Sequence, residues 1–269
     1  MDAFMKVAVD AAHQAGALLK DNWQKAKTIE IKTDIVDLVT NVDKASDALI
    51  TGILRSHFPD HQIIAEESAV SGKPSPYRWY IDPIDGTTNF AHSFPHFAVS
   101  IGLQHEAQMI VGVVYDPIKD ELFCATHKNG ATLNDRPIHV SPTPALDQSL
   151  VLTGFPYDRR KRSEYYLRFY QAFMTRTQGV RRVGSASLDL CYVACGRADA
   201  FWEWRLHPWD TAAGSLIVEE AGGKMSDFTG QSFGIHGEQT LATNSLLHQE
   251  TLMVLHEVLT THANREGLD

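Results

Sequence analysis

Two aspartates stand three positions apart directly after an apolar run. Residues 79–81 read Trp-Tyr-Ile, and Asp82 and Asp85 follow, with Pro83 between them and Gly86 after them. Two carboxylates held this close repel each other unless a cation or protons neutralise them. Carboxylate and carbonyl oxygens are the ligands that hard cations such as Mg²⁺ prefer. The stretch therefore indicates a metal site, although Asp-Pro and Asp-Gly are also common turn dipeptides.

Acidic residues stand at two further places where an element is predicted to begin or end. Glu66 and Glu67 follow a strand predicted over residues 61–65. Asp210 follows Pro208-Trp209 and is predicted to be the N-cap of a helix. The first amides of a helix and its dipole favour a nearby anion. Asp210 could therefore bind a metal while neighbouring amides help to receive a phosphate.

The apolar periodicity predicts the elements that must position these side chains. Helices are expected over residues 1–23, 40–57, 163–177, 187–195, 210–221 and 246–262. Strands are expected over residues 28–32, 61–65, 77–81, 97–105, 109–115, 121–126, 131–134, 149–154, 180–183, 198–204, 224–227 and 240–242. Thr40 and Asp43 have the spacing of a capping box at the start of the second helix.

The order of these elements indicates an α+β fold of stacked layers. Long antiparallel runs come first and strand–helix alternation follows, without the glycine-rich signature of a dinucleotide or P-loop fold. We predict a single domain over residues 1–269, with an N-terminal α+β half (1–148) and a C-terminal α/β half (149–269).

Composition limits the function. The chain has 269 residues, a net charge of −9 and a pI of about 5.8. An acidic chain is a poor candidate for a dedicated nucleic-acid binder, whose affinity rests on Lys and Arg. No apolar run is long enough to span a membrane, and no signal peptide is visible, so we expect a cytoplasmic protein without a membrane partner.

Three motifs together resemble the inositol monophosphatase family of metal-dependent, lithium-sensitive sugar phosphatases. They are E-E-S at residues 66–68, D-P-I-D-G-T-T-N-F at 82–90 and W-D-x-A-A-G at 209–214. Their order and spacing match over nearly the whole chain. The resemblance implies a layered αβαβα sandwich, two or three Mg²⁺ ions per active site, a small phosphate monoester as substrate and a homodimer.

The resemblance also implies the roles of individual residues. Asp82 would bridge two metals, and Glu66 and Thr87 would orient and deprotonate the attacking water. The implied metal ligands are Glu66, Asp82, the carbonyl of Ile84, Asp85 and Asp210. The implied substrate-binding residues are Gly86, Thr87, Gly184, Ser185, Ala186, Glu203 and Asp210. The accessory candidates are Lys32, Asp43, Glu67 and Arg205.

The resemblance implies more specific roles for Lys32 and Glu203. Lys32 stands in the loop of residues 31–37, which matches a loop that closes over the metals in the family. Glu203 stands seven residues before Asp210, where inositol phosphatases carry a glutamate that contacts ring hydroxyls. The alternative for Glu203 is an exposed strand residue with no part in binding.

Three functions remain open on the sequence. The first is a Mg²⁺-dependent phosphatase for myo-inositol 1-phosphate. The second is a phosphatase for histidinol phosphate, fructose 1,6-bisphosphate or a 3′-phosphoadenosine nucleotide, of which Glu203 disfavours the nucleotide. The third is a regulatory protein that binds the transcription machinery, as some bacterial members do; the charge pattern neither favours nor excludes it.

Overall fold

The computed structural model describes residues 2–32 and 37–263. Its helices are α1 (Asp2–Asn22), α2 (Asn41–His57), α3 (Thr87–Ala91), α4 (Arg159–Met174), α5 (Ala186–Ala194), α6 (Pro208–Glu220) and α7 (His248–Ala263). Its strands are β1 (Ile29–Ile31), β2 (Leu38–Thr40), β3 (Gln62–Ala65), β4 (Tyr77–Asp85), β5 (Ala98–His105), β6 (Gln108–Asp116), β7 (Glu121–Thr126), β8 (Ala131–Leu133), β9 (Arg136–Pro137), β10 (Leu150–Thr153), β11 (Gly179–Arg181), β12 (Ala200–Trp204), β13 (Lys224–Ser226) and β14 (Gln239–Thr243). Among the described residues, no helix has both the length and the apolar character needed to cross a membrane.

The first half of the chain forms a seven-stranded sheet in the order β3-β4-β5-β6-β7-β8-β9. All neighbours pair antiparallel except β3 and β4, which are parallel. Most of its pairs therefore join strands that are adjacent in the sequence, and short turns suffice to connect them.

The second half forms a five-stranded sheet in the order β11-β10-β12-β14-β13. Strand β10 pairs parallel with both β11 and β12, whereas β14 pairs antiparallel with β12 and β13. A parallel pair needs a crossover connection, and α4 and α5 supply these crossovers.

The two sheets lie in an αβαβα arrangement, and the predicted fold class is confirmed. Helices α1 and α2 share one apolar cluster with the outer face of the seven-stranded sheet. Helices α5 and α6 lie between the sheets and share a second cluster with both of them. Helices α4 and α7 cover the other face of the five-stranded sheet. That residues 1–269 form one domain stays a prediction.

Helix α6 approaches the seven-stranded sheet unusually closely, because two glycines of that sheet face it. A Cβ added to Gly112 would lie 2.6 Å from the carbonyl oxygen of Ala213. A Cβ added to Gly102 would lie 2.9 Å from the Cβ of Ala212. These positions place the backbone of α6 directly against the sheet that carries Asp82 and Asp85.

Several predicted boundaries need correction. Strand β4 continues to Asp85 instead of ending at residue 81, so the two aspartates belong to the strand. Helix α4 begins at Arg159 rather than at residue 163, with a non-helical residue at Arg162. The strand predicted over residues 180–183 is Gly179–Arg181, so Arg182 already belongs to the turn before α5. The short elements β2, α3 and β9 were not predicted, since two to five residues give no clear period.

Candidate active site

A β-bulge brings Asp82 and Asp85 to one side of strand β4. Asp82 pairs with Ser100 of β5, and Asp85 pairs with Ala98, so three steps along β4 match two steps along β5. Residues three apart on a regular strand point to opposite faces, and the extra residue of a bulge corrects this difference. Both carboxylates consequently line the same cleft.

The residues between and after the aspartates make a compact turn. The Oδ1 atom of Asp82 accepts a hydrogen bond from the amide of Ile84 at 3.0 Å. The carbonyl of Ile84 accepts one from the hydroxyl of Thr87 at 3.0 Å. Gly86 has a φ of +97°, and a Cβ there would lie 3.1 Å from the carbonyl oxygen of Gly184. Glycine is therefore needed at residue 86 both for the left-handed turn and for the close approach of the second half.

Glu66 reaches the same place from the neighbouring strand. Strands β3 and β4 are parallel, with Ala65 opposite Ile81, and the Glu66 amide donates to the Ile81 carbonyl at 3.1 Å. This register puts Glu66 beside Asp82, and the charge of Glu66 is one cause that raises the pKa of Asp82. Glu66, Asp82, Ile84 and Asp85 together form what we call the acidic wall of the cleft.

The electrostatics of the acidic wall are unfavourable for several negative charges. Burial, followed by the charges of Glu66, Asp85 and Asp210, raises the pKa of Asp82 well above its ordinary value. Burial is also the largest cause that raises the pKa values of Glu66 and Asp85. Desolvation disfavours each carboxylate anion, and like charges add to this cost. The wall is stable as a set of anions only when a cation lies against it.

The donor atoms of the cleft fit Mg²⁺. The implied metal ligands supply only oxygen atoms, from the carboxylates of Glu66, Asp82, Asp85 and Asp210 and from the carbonyl of Ile84, and all five residues line the cleft. Among the described residues, no three His, Cys, Asp or Glu side chains converge on one point. The oxygen donors of the implied ligands and their position in the cleft nevertheless fit a metal ion.

Lys32 lies against the acidic wall. Its ammonium group is 2.8 Å from Oε1 of Glu66 and also contacts Oε1 of Glu67. Burial lowers the pKa of Lys32, but the charges of the two glutamates outweigh this and raise it overall. The pKa of Glu67 rises to about 7 because burial outweighs the contact with Lys32. Residues 33–36 of the loop that was predicted to close over the metals lie outside the described residues.

Asp43 and Thr87 are linked behind the acidic wall. The predicted capping box is present at the start of α2, where Thr40 and Asp43 exchange hydrogen bonds. The other oxygen of Asp43 accepts from the Thr87 hydroxyl at 3.0 Å. The Thr87 hydroxyl has one hydrogen, so it donates to Asp43 or to Ile84 and keeps its lone pairs for a third partner.

Asp210 lies at the third position of α6, so its prediction as the N-cap was wrong. The N-cap is His207, and Pro208 takes the first helical position, which needs no hydrogen-bond donor. The Oδ2 atom of Asp210 accepts a hydrogen bond from the His207 amide at 2.7 Å. Its other oxygen remains available to the cleft. Burial and the charges of Asp85 and Glu66 raise the pKa of Asp210.

The wall opposite the carboxylates comes from the second half of the chain. We call Gly154, Gly184, Ser185, Ala186 and Glu203 the substrate wall, and all five line the cleft. The Ser185 hydroxyl donates to Asp85 at 2.6 Å, so it is not directed towards a ligand. A ligand would therefore meet this segment mainly through its backbone and the small side chain of Ala186.

Glu203 faces the cleft, which excludes the alternative of an exposed strand residue. Its side chain is 8% exposed, and its carboxylate lies flat against Gly154, where a Cβ would be 2.1 Å from Oε2. Burial raises the pKa of Glu203 to about 8, and the charge of Arg182 opposes this rise. Within the described residues, Glu203 receives no hydrogen bond from the protein, so its oxygens can bind a ligand.

Eleven of the described residues that line the cleft were missed on the sequence, among them Gly154, Tyr157 and Arg182. Asp189 of α5 was missed as well; its Oδ1 atom is buried and has no hydrogen bond within the described residues. The Arg181-Arg182 pair, which Val183 separates from Gly184, was a usable signal for Arg182. Arg205 lines the cleft as well, but its guanidinium binds Asp158 at 2.7 Å.

Lys32, Asp43 and Glu67 do not line the cleft themselves. Lys32 instead binds Glu66, which lines the cleft, and also binds Glu67. Asp43 binds Thr87, which lines the cleft as well. These three accessory residues thus act on the cleft through Glu66 and Thr87.

Comparisons with known proteins agree with this geometry. The model of the Inositol monophosphatase family matches residues 1–265. An inositol-1-monophosphatase of Synechocystis is 46% identical over 256 residues, covering 95% of this chain and 89% of that protein. The Nus factor SuhB of Escherichia coli is 44% identical over 232 residues, covering 86% of this chain and 87% of that protein.

A solved structure agrees as well. The inositol monophosphatase of Anabaena (Nostoc) superposes with a TM-score of 0.86 at 44% identity, covering 95% of this chain and 96% of that one. Family match, sequence identity and structure all extend over nearly the full length. The chain belongs to the inositol monophosphatase family.

Proposed function

We propose that this chain is a Mg²⁺-dependent, lithium-sensitive phosphatase that hydrolyses myo-inositol 1-phosphate and related small polyol monophosphates. The observation that carries the proposal is one cleft in which an oxygen-only acidic wall faces the unpaired carboxylate of Glu203. The first wall suits a phosphate dianion with metal ions, and the second suits the hydroxyl groups of a polyol.

The residues that would hold the metals are Glu66, Asp82, Ile84 through its carbonyl, Asp85 and Asp210. Bound Mg²⁺ would supply a water of lowered pKa and would stabilise the charge on the leaving oxygen. No covalent bond between phosphate and protein is needed for this chemistry.

The chain's own groups orient the reactants. Thr87 donates its hydrogen to Asp43 or Ile84, so its free lone pair can accept a hydrogen from water, and Glu66, which lines the same cleft, would take the proton. The amides of Gly86 and Thr87 stand at the start of α3, before its first helical hydrogen bond from Phe90 to Gly86, and can donate to phosphate oxygens.

Glu203 and its neighbours would bind the leaving group. Glu203 in its ionised form would accept hydrogen bonds from two adjacent hydroxyls, and these charge-assisted bonds are stronger than neutral ones. Because its pKa is raised to about 8, the ionised form gains in population as the pH rises towards that value. Gly154 leaves the space that the Glu203 carboxylate occupies. The competing substrates are histidinol phosphate and fructose 1,6-bisphosphate, which offer a different set of polar groups.

A panel of phosphate esters at low concentration tests the proposal. Phosphate release should be fastest from inositol 1-phosphate, should require Mg²⁺, should stop with a chelator and should be inhibited by Li⁺. Faster release from histidinol phosphate or fructose 1,6-bisphosphate would contradict the substrate, and release that persists without divalent metal would contradict the cofactor.

A second role is favoured by one finding, the 44% identity with a protein named Nus factor SuhB. The proposal is that this chain also binds the transcription machinery, as a homodimer or as a single chain. Capture of RNA polymerase subunits from cell extract by both the wild type and Asp82→Asn would support a role independent of catalysis. No capture by either protein would count against it, and light scattering would test the homodimer.

A further inference from the structure

The carboxylate of Asp85 receives four hydrogen bonds from the first turn of α5 and the residue before it. Its Oδ2 atom accepts from the Ser185 hydroxyl at 2.6 Å, from the Ser187 amide at 2.7 Å and from the Ser187 hydroxyl at 2.5 Å. Its Oδ1 atom accepts one bond, from the Ala186 amide at 3.2 Å. Asp82, on the same strand, accepts only one backbone hydrogen bond, from Ile84.

The four bonds leave the two oxygens of Asp85 unequal. An ionised carboxylate offers about two acceptor sites on each oxygen. Three donors saturate Oδ2, whereas one donor leaves a site open on Oδ1. Asp85 can therefore offer only Oδ1 to a metal, as a one-oxygen ligand of fixed direction.

Ser187 contributes two of the three donors on Oδ2 and is fully buried. It stands 102 residues after Asp85 and does not line the cleft, whereas Ser185 does. The Ser187 hydroxyl contacts the site through Asp85, to which it donates its hydrogen. Partners that orient a metal ligand typically change metal affinity or activity 10–100-fold when they are removed.

We propose that Ser187 is a positioning residue, whose hydroxyl holds Asp85 in the single orientation that directs Oδ1 towards a Mg²⁺ ion. The inference rests on the proposed function in one respect, that Asp85 is a metal ligand. It adds that the second half of the chain sets the direction of a ligand that the first half provides.

Ser187→Ala tests the inference by Mg²⁺ binding to the full chain, measured calorimetrically without substrate. We expect the Kd for Mg²⁺ to rise about tenfold, with the Mg²⁺ activation curve shifted by a similar factor. Ser187→Thr, which keeps the hydroxyl, should restore most of the affinity. The matched control is Ser215→Ala, because Ser215 is also a buried helical serine but its hydroxyl bonds only to the Ala212 carbonyl.

Melting temperatures without metal separate positioning from general destabilisation. Equal small losses in both alanine variants, with weaker Mg²⁺ binding only in Ser187→Ala, support the inference. Wild-type affinity in Ser187→Ala overturns it and leaves the proposed phosphatase intact. A wild type that binds no Mg²⁺ overturns the metal assignment, and with it both proposals.

Discussion

The acidic wall and the substrate wall face each other across one cleft, but the chain assembles them over very different distances. Asp82, Ile84 and Asp85 lie on one strand, and Glu66 directly follows the neighbouring strand. Gly154 follows β10, Gly184 lies between β11 and α5, and Glu203 lies on β12, so three separate segments of the second half contribute. Local order therefore governs the acidic wall, whereas Asp210 and the substrate wall depend on how the second half of the chain folds.

The two walls also differ in how their charges are balanced. The acidic wall gathers three carboxylates; burial raises the pKa of each, and the charges of Glu66 and Asp85 raise the pKa of Asp82 further. The substrate wall has one buried carboxylate in the cleft, Glu203, and the nearby Arg182 lowers its pKa relative to burial alone. The first arrangement calls for divalent cations, and the second suits neutral hydroxyl groups. A substitution in the acidic wall should therefore affect every phosphate ester, whereas a substitution in the substrate wall should affect only some substrates.

The largest expected effect is on the acidic wall. Asp82→Asn should abolish turnover of every phosphate ester, because the side chain loses the charge that would bridge two metals. The metal-free protein should melt no lower than the wild type, since a like charge is removed from a crowded cluster. Steady-state kinetics and thermal melting check both points. More than about a tenth of wild-type kcat, a loss below about 1.4 kcal/mol, would rule out the bridging role.

The next effect is on the substrate wall, and it should be selective. Glu203→Ala should lower kcat/KM for inositol 1-phosphate by about one to two orders of magnitude, the value of one or two charge-assisted hydrogen bonds. Hydrolysis of p-nitrophenyl phosphate, which has no polyol hydroxyls, serves as the matched control and should hardly change. An equal fall for both substrates would mean that Glu203 supports the fold or the metals, and no fall for either would mean that it does not touch the substrate.

A third prediction concerns the contact between helix α6 and the seven-stranded sheet. Gly112→Ala places a Cβ 2.6 Å from the backbone of Ala213, so α6 and its Asp210 must move. Overpacking of this kind costs about 1–3 kcal/mol, and metal affinity should fall with it. Gly52→Ala is the control, because nothing lies within 4 Å of that position in α2 and alanine favours a helix. The melting temperature should fall for Gly112→Ala and stay level or rise for Gly52→Ala; the same change in both would contradict the close approach of α6.

A fourth expected effect is a pH dependence of stability that arises in the substrate wall. The pKa of Glu203 is raised to about 8 in the folded protein from an ordinary value of 4.5. Between these values the folded state holds a proton that the unfolded state has released, so wild-type stability falls as the pH rises through this range. The Gln side chain of Glu203→Gln cannot ionise. The difference between the melting temperatures of the variant and the wild type (variant minus wild type) should therefore increase from pH 5 to pH 8 and then level off. A difference that is constant across this range would mean that the pKa of Glu203 is not raised.

The sequence predicted the acidic wall more completely than the substrate wall. The family, the layered fold and the acidic motifs could be predicted because each motif is short, continuous and bounded by an apolar strand. Gly154, Tyr157, Arg182 and Asp189 were missed, since each becomes part of the site only through contacts with residues distant in the sequence. Glu203 was found through its spacing to Asp210, which reflects the fixed length of β12 and the turn before α6.

The sequence by itself determined which elements form and which side chains carry charge, because apolar periodicity and residue type act over a few neighbouring positions. Only the tertiary structure decided where those charges point. The bulge in β4 brings Asp82 and Asp85 to one face, and the turn before α6 makes Asp210 the third helical residue. The hydroxyl groups of Ser185 and Ser187 then fix Asp85 from the other half of the chain. Such orientations depend on contacts over about 100 residues, where packing between layers, and not local preference, sets the lowest free energy.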